Sequence, residues 1–205
     1  ALSFAGVFSE EQGFDFVCKR AEAMQKAGEE NPGAMAAVLK LKNEQVEELC
    51  AGFEKVWPVN YNCPGQLVCA GEKSQIEAFC GKVAEAGGKA VPLAVSGGFH
   101  SPFMESASQT LREVLEPMEL SEARVPVYAN YTAQPYDGSA KELLTQQVKK
   151  PVRWQETVER LVELGVDTFI ECGPGKTLCG LIRKTLNVQD GETLQAALEA
   201  VKAQG

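Results

Sequence analysis

The residue best suited to acid–base chemistry in this sequence is its single histidine, His100, in Ser96-Gly97-Gly98-Phe99-His100-Ser101-Pro102. Imidazole is the side chain whose ordinary titration falls near neutrality, which suits a general base. An apolar run at 90–95 and two glycines precede it, and a helical pattern follows it. The spacing predicts a histidine at a strand-to-helix junction. An isolated histidine is more often structural, so its neighbours must decide. Arg20 flanks the apolar stripe of a helical stretch on the side of Met24, where its guanidinium can turn into a cleft. Asn60 and Asn62 stand at the end of a strand pattern, where they can either meet a ligand or cap the turn that follows. Lys176 opens a helix after Gly173-Pro174-Gly175. An anion there is possible chemistry, and formation of the turn is the simpler account.

Composition narrows the classes. A net charge of −8 argues against a nucleic-acid or anionic-membrane surface as the main partner. No apolar run approaches the roughly 18 residues that span a bilayer, and the first residues lack the form of a signal peptide. The seven cysteines are scattered, without a Cys-x-x-Cys pair, and one histidine offers no zinc constellation. Reduced, mostly buried thiols in a cytoplasmic protein are expected. Cys18, Cys50 and Cys80 fall on apolar helix stripes.

Stepping along the chain, Ser9 and Gln12 predict a capping box opening a helix over 10–27, with Phe14, Val17, Cys18, Ala21 and Met24 as its core stripe and Gly28 as its end. Residues 33–97 then read β-α-β-β-α-β: strands at 34–41, 56–61, 66–70 and 89–95, and helices with stripes Val46, Leu49, Cys50, Phe53 and Ile76, Phe79, Cys80, Val83. That order is the ferredoxin-like arrangement. After His100, helices are expected around 107–115, 141–148, 154–162, 176–185 and 194–201, with strands at 125–129 and 166–172. Strand, glycine-rich turn, helix is α/β logic. Residues 1–7 read as an uncapped apolar helix, and the expectation is of a chain lacking an N-terminal portion.

Four segments resemble the malonyl-CoA:acyl carrier protein transacylase family. They are Gly33-Ala34-Met35-Ala36-Ala37, Val59-Asn60-Tyr61-Asn62-Cys63-Pro64-Gly65-Gln66, Val95-Ser96-Gly97-Gly98-Phe99-His100-Ser101-Pro102 and Glu171-Cys172-Gly173-Pro174-Gly175-Lys176, with 148–154 in support. The resemblance covers nearly the whole chain. It implies an α/β fold: a ferredoxin-like small subdomain at 33–97, set on a partial α/β-hydrolase-like acyltransferase subdomain made of 1–32 and 98–205. The family's nucleophilic serine lies in a Gly-His-Ser-Leu-Gly element, and these 205 residues contain none.

The implied reaction is two-step acyl transfer, from malonyl-CoA to serine and from serine to the phosphopantetheine thiol of acyl carrier protein. By resemblance, His100 is the base and the backbone carbonyl of Gln147 orients it. Arg20 binds the free carboxylate of malonate, for which a guanidinium fork is the matching shape. Phe99 limits room beside the substrate α-carbon, and Met24, Asn60 and Asn62 line the substrate site. No metal or redox cofactor is implied. Acyl carrier protein is acidic, so a local basic patch is expected, with Lys149, Lys150, Arg153, Lys176, Arg183 and Lys184 as candidates. The chain alone is expected to be inactive, with the serine-bearing segment expected either upstream in the same polypeptide or as a separate chain. The alternatives are an acyltransferase domain of a polyketide synthase and a non-catalytic binding module of the same fold.

Overall fold

The computed structural model describes residues 1–95, 97–138 and 140–187, and its mixed α/β class is the one expected. The expected helix carrying Leu194, Ala197, Leu198 and Val201 lies outside the described residues. So does Ser96.

Helix α1 (Glu10–Glu30) opens on the predicted capping box, with the Ser9 and Gln12 side chains each accepting the other's backbone N–H. Its buried face differs from the predicted stripe. Phe16, Ala23, Met24 and Ala27 are buried, whereas Phe14 is 71% and Val17 50% exposed. The helix carries apolar residues on two faces. The face that packs is the one that meets α4 (Glu105–Leu115) through Ala107, Leu111 and Leu115. Gly28 does not end α1. It lies inside the helix, where a Cβ would sit 3.7 Å from the Gly97 Cα, and Asn31 caps the end instead. Residues 1–7 form a turn rather than the expected helix: Ala5 and Val7 donate to the carbonyls of Ala1 and Leu2, and Gly6 leaves the helical region at φ +83°.

The middle of the chain follows the predicted order: β1 (Gly33–Leu39), α2 (Asn43–Ala51), β2 (Val56–Cys63), β3 (Gln66–Glu72), α3 (Lys73–Glu85) and β4 (Lys89–Pro92). The strands lie in the order β2-β3-β1-β4, and every neighbouring pair is antiparallel. Strand alternation sorts the side chains between two cores. Ala36 and Val38 of β1 with Leu67 and Cys69 of β3 face Val46 and Cys50 of α2 and Ile76, Phe79 and Val83 of α3. Met35, Val68 and Ala70 face the other way, toward Val59, Trp57 and Phe99. Strand β2 is at the edge and tolerates Pro58 there, beside a register shift between Pro58 and Asn60. Strand β4 stops at Pro92, short of the predicted 95, and past it Leu93 makes one further backbone bond to the Met35 carbonyl at 2.9 Å.

The last part is less sheet-like than predicted. The strand expected at 125–129 is reduced to β5 (Tyr128–Ala129), paired with β6 (Gln134–Pro135). Helices α5 (Ala140–Gln147), α6 (Trp154–Glu163) and α7 (Thr177–Thr185) fall close to their predicted places. Val158 and Val162 of α6 pack on Ile182 of α7 and on Leu186. Residues 166–172 are not a strand. A strand requires a ladder, and no described strand pairs with this apolar run, which leaves Ile170 82% exposed.

Candidate functional site

The turn that carries His100 is built from its own sequence. Ser101 donates its hydroxyl to the Gly98 carbonyl and accepts the Phe103 N–H at 3.3 Å, and Pro102 opens a short 3₁₀ turn, Pro102–Met104. His100 itself stands at φ +60°, a conformation uncommon for a residue with a side chain. Its backbone N–H donates to the Val148 carbonyl at 3.0 Å. Its ring Nδ1 lies 2.8 Å from the Gln147 carbonyl oxygen. A carbonyl can only accept, so Nδ1 carries the proton and Nε2 keeps its lone pair. The imidazole is thereby held in the tautomer a base needs, at the C-terminal end of α5.

Burial lowers the pKa of His100 below the usual 6.5, and the charge of Arg20 pushes the same way. Hydrogen bonding to the backbone of Gln147 and of Lys150 opposes them. The net direction keeps the ring neutral at physiological pH. Arg20, partly buried on α1, is itself pushed down from its ordinary value by burial, and no carboxylate among the described residues pairs with it. A desolvated, unpaired guanidinium is costly unless an anion completes it.

One helical turn beyond Arg20, Met24 meets Phe99 across a cleft of about 600 Å³ whose wall also includes Gln25, Gly28 and Gly97. Phe99 packs on the α1–α4 core and on the sheet face with Trp57 and Val59, so it joins the two halves of the structure. The edge of β2 is closed by the segment after α5: Val152 donates to the Val59 carbonyl at 2.8 Å and accepts the Tyr61 N–H at 2.9 Å. Asn60 therefore pairs with Val152, which follows Gln147 by five residues. Two buried polar atoms in this group have no partner among the described residues: Asn60 Oδ1 and Gln147 Nε2. Such atoms are few in folded proteins and suit a ligand that completes them.

Arg20, Met24, Phe99, His100 and Gln147 thus come together through α1, the His100 turn and the end of α5, while Asn60 stands on the edge of β2 beside Val152. Asn62 lies within the second register shift of β2, between Tyr61 and Cys63, and no hydrogen bond among the described residues ties it to His100. The role of Val148 was not foreseen. It acts through a backbone carbonyl, which no side chain announces. Ser101, beside the base in sequence, is 1% exposed and committed to Gly98, so it is not placed to be a nucleophile. Among the described residues no group of three His, Cys, Asp or Glu is arranged to hold a metal ion, and no helix is long and apolar enough to cross a membrane.

Residues 1–200 match the family described as acyl transferase domain. The malonyl CoA-acyl carrier protein transacylase of Bacillus subtilis (strain 168) is 39% identical over 215 residues, 98% of this chain and 68% of its own length. That of Staphylococcus aureus (strain MSSA476) is 38% identical over 191 residues, 90% of this chain and 62% of its own. A malonyl-transacylase solved in complex with its type II PKS acyl-carrier protein superimposes with a TM-score of 0.87 at 37% identity, covering 98% of this chain and 69% of that one. The chain therefore spans about two thirds of the length of the relatives it matches. On a half-buried imidazole, a guanidinium without a carboxylate partner among the described residues, and these similarities together, it belongs to the acyl transferase domain family, among the malonyl CoA-acyl carrier protein transacylases.

Proposed function

We propose that this chain forms the base and substrate half of a transferase that moves a malonyl group from malonyl-CoA to the phosphopantetheine thiol of acyl carrier protein, as the names of its relatives suggest. The observation that carries the reading is the 2.8 Å contact of His100 Nδ1 with the Gln147 carbonyl. It leaves Nε2 free to take a proton first from a serine hydroxyl and then from the incoming thiol. The hydroxyl attacks the thioester carbonyl, the coenzyme A thiolate leaves with the proton returned by His100, and the same steps run in reverse order with the carrier thiol. A neutral carbonyl stabilises imidazolium less than a carboxylate would, but it fixes the tautomer equally well. Arg20 takes the free carboxylate of malonate, which accounts for its lack of a carboxylate partner among the described residues. Phe99 and Met24 bound the space around the α-carbon. Asn60 offers its orphaned Oδ1 to the acyl-thioester portion, and Asn62 lies toward the coenzyme A side.

The serine comes from polypeptide outside these 205 residues, in the same chain or in a companion one, and the 205 residues alone do not transfer malonyl groups. We read 33–97 as a ferredoxin-like small subdomain, and 1–32 with 98–205 as part of an α/β-hydrolase-like acyltransferase subdomain. The reaction needs no metal or redox cofactor and is placed in the cytoplasm. Acyl carrier protein would meet the exposed cations of α7, Lys176 at its start with Arg183 and Lys184 at its end. Lys149 and Arg153 are less available, being paired with Glu105 and Glu156. The likeness to a type II PKS transacylase favours a second reading, in which the carrier belongs to polyketide rather than fatty acid synthesis.

The test is intact-mass measurement of the serine-bearing enzyme incubated with malonyl-CoA. His100→Ala abolishes the malonyl adduct on serine. Normal labelling of that variant removes His100 as base, whereas no adduct on the parent enzyme itself supports a non-catalytic binding module.

A further inference from the structure

The sheet core away from the His100 cleft holds a second set of nucleophilic side chains. Cys50 is on the buried face of α2 near its end, and Cys69 is in the middle of β3. Both are buried, at 4% and 0% exposure, and their sulfurs are 3.6 Å apart, with either thiol able to donate to the other. Cys80 on α3, half-buried, packs against the same core. A disulfide bond is about 2.05 Å long, so the two sulfurs need approach by only about 1.5 Å. Cys50 is followed within two residues by Gly52, the end of α2, so one side of the pair is at a helix terminus rather than deep in a rigid element.

We propose that Cys50 and Cys69 are a dithiol that peroxide converts to a disulfide, fastening α2 onto β3. One thiol is oxidised by hydrogen peroxide to sulfenic acid with release of water. The other thiol then displaces that oxygen as a second water, forming the S–S bond. Two thiols lose two electrons and two protons in all, and one peroxide takes them up. The hydrogen bond with Cys50, with burial behind it, pushes the Cys69 thiol well up, so thiolate is scarce and the reaction proceeds during local openings of α2. It is therefore slower than oxidation of the exposed Cys172. Cys69 pairs across the ladder with Pro58, two residues before Asn60. The bond thus braces the strand pair from which a site residue extends, although the proposal does not depend on the transferase reading.

The chain is treated with hydrogen peroxide under native conditions, its remaining thiols are alkylated, and its peptides are mapped by mass. The expected result is a Cys50–Cys69 linked pair lighter by two hydrogens, reversed by dithiothreitol and still formed in Cys80→Ser. The midpoint of urea unfolding rises on oxidation and returns on reduction. Full alkylation of Cys50 and Cys69 after Cys172 has been consumed overturns the proposal. So does a link from Cys69 to Cys80 in place of the expected one, or sulfinic acid at either sulfur. The wild-type chain supplies the decisive map, so the result does not hang on a variant that fails to fold.

Discussion

His100 is neutral because its surroundings dislike a cation, and that has a sign in pH. Burial and the Arg20 charge hold its pKa below 6.5 in the folded chain, while the unfolded chain has the ordinary value. A proton therefore binds the unfolded state first as pH falls. Stability is full above 6.5 and declines as pH drops through 6.5 toward the folded value. For activity in the serine-bearing enzyme, the acid limb of kcat/KM lies below pH 6.5. Arg20→Ala removes one of the two lowering influences and opens the site to water, so the acid limb moves to higher pH. A limb that stays in place separates Arg20 electrically from the base. The same variant collapses malonyl loading, by about 10²-fold or more if a buried charged hydrogen bond worth roughly 3 kcal/mol is lost, and leaves acetyl loading largely intact. Equal loss of both substrates rejects the carboxylate role. At this scale the sequence shows His100 and Arg20 by type. It does not show the carbonyls of Gln147 and Val148 that orient the ring, because every residue has a carbonyl and only the fold aims it.

At the scale of elements, the site depends on two close approaches of backbone. Gly33 opens β1 beneath the turn before His100. A Cβ there would fall 2.7 Å from the Gly98 nitrogen, 3.0 Å from the Gly71 oxygen and 3.1 Å from the Gly98 Cα, all backbone atoms that cannot swing aside. Gly33→Ala therefore displaces the turn or the strand, and the expected outcome is a fall in kcat together with a loss of about 1–3 kcal/mol in urea unfolding, as for overpacking elsewhere. Unchanged kcat in a fully folded variant shows that the turn does not set the position of His100. The helix pair beneath the site is similarly exacting: Leu111 of α4 is fully buried against α1, and Leu111→Ala costs about 2–5 kcal/mol by denaturant titration. The capping box, the β-α-β-β-α-β order and the turn at Pro64-Gly65 were legible because each is a local pattern of types. The buried face of α1 was not. Phe14 and Val17 fit a helical stripe as well as Phe16, Ala23 and Ala27 do, and periodicity cannot say which face has a partner. Residues 166–172 read as a strand for their apolarity alone, yet strands are made by pairing.

Across the whole molecule those two misread segments have the same consequence. Phe4 and Ile170 are each 82% exposed and Phe14 71%, with Val17, Leu164 and Leu178 also open to solvent. Single exposed apolar side chains are ordinary, but a helix apolar on two faces and an extended apolar run without a ladder are surfaces suited to burial by polypeptide. The net charge of −8 keeps copies of the chain apart, and it is screened by salt. The 205-residue chain on its own should therefore self-associate as salt is raised from low to physiological concentration, read by light scattering or gel filtration. Phe14→Gln combined with Ile170→Gln should suppress that association while shifting unfolding by no more than about 0.5 kcal/mol, since neither side chain contributes to a described core. A double variant that associates as readily as the parent places the sticky surface elsewhere. One that unfolds far more easily shows that these side chains are already buried in solution, by contacts the isolated fold does not provide.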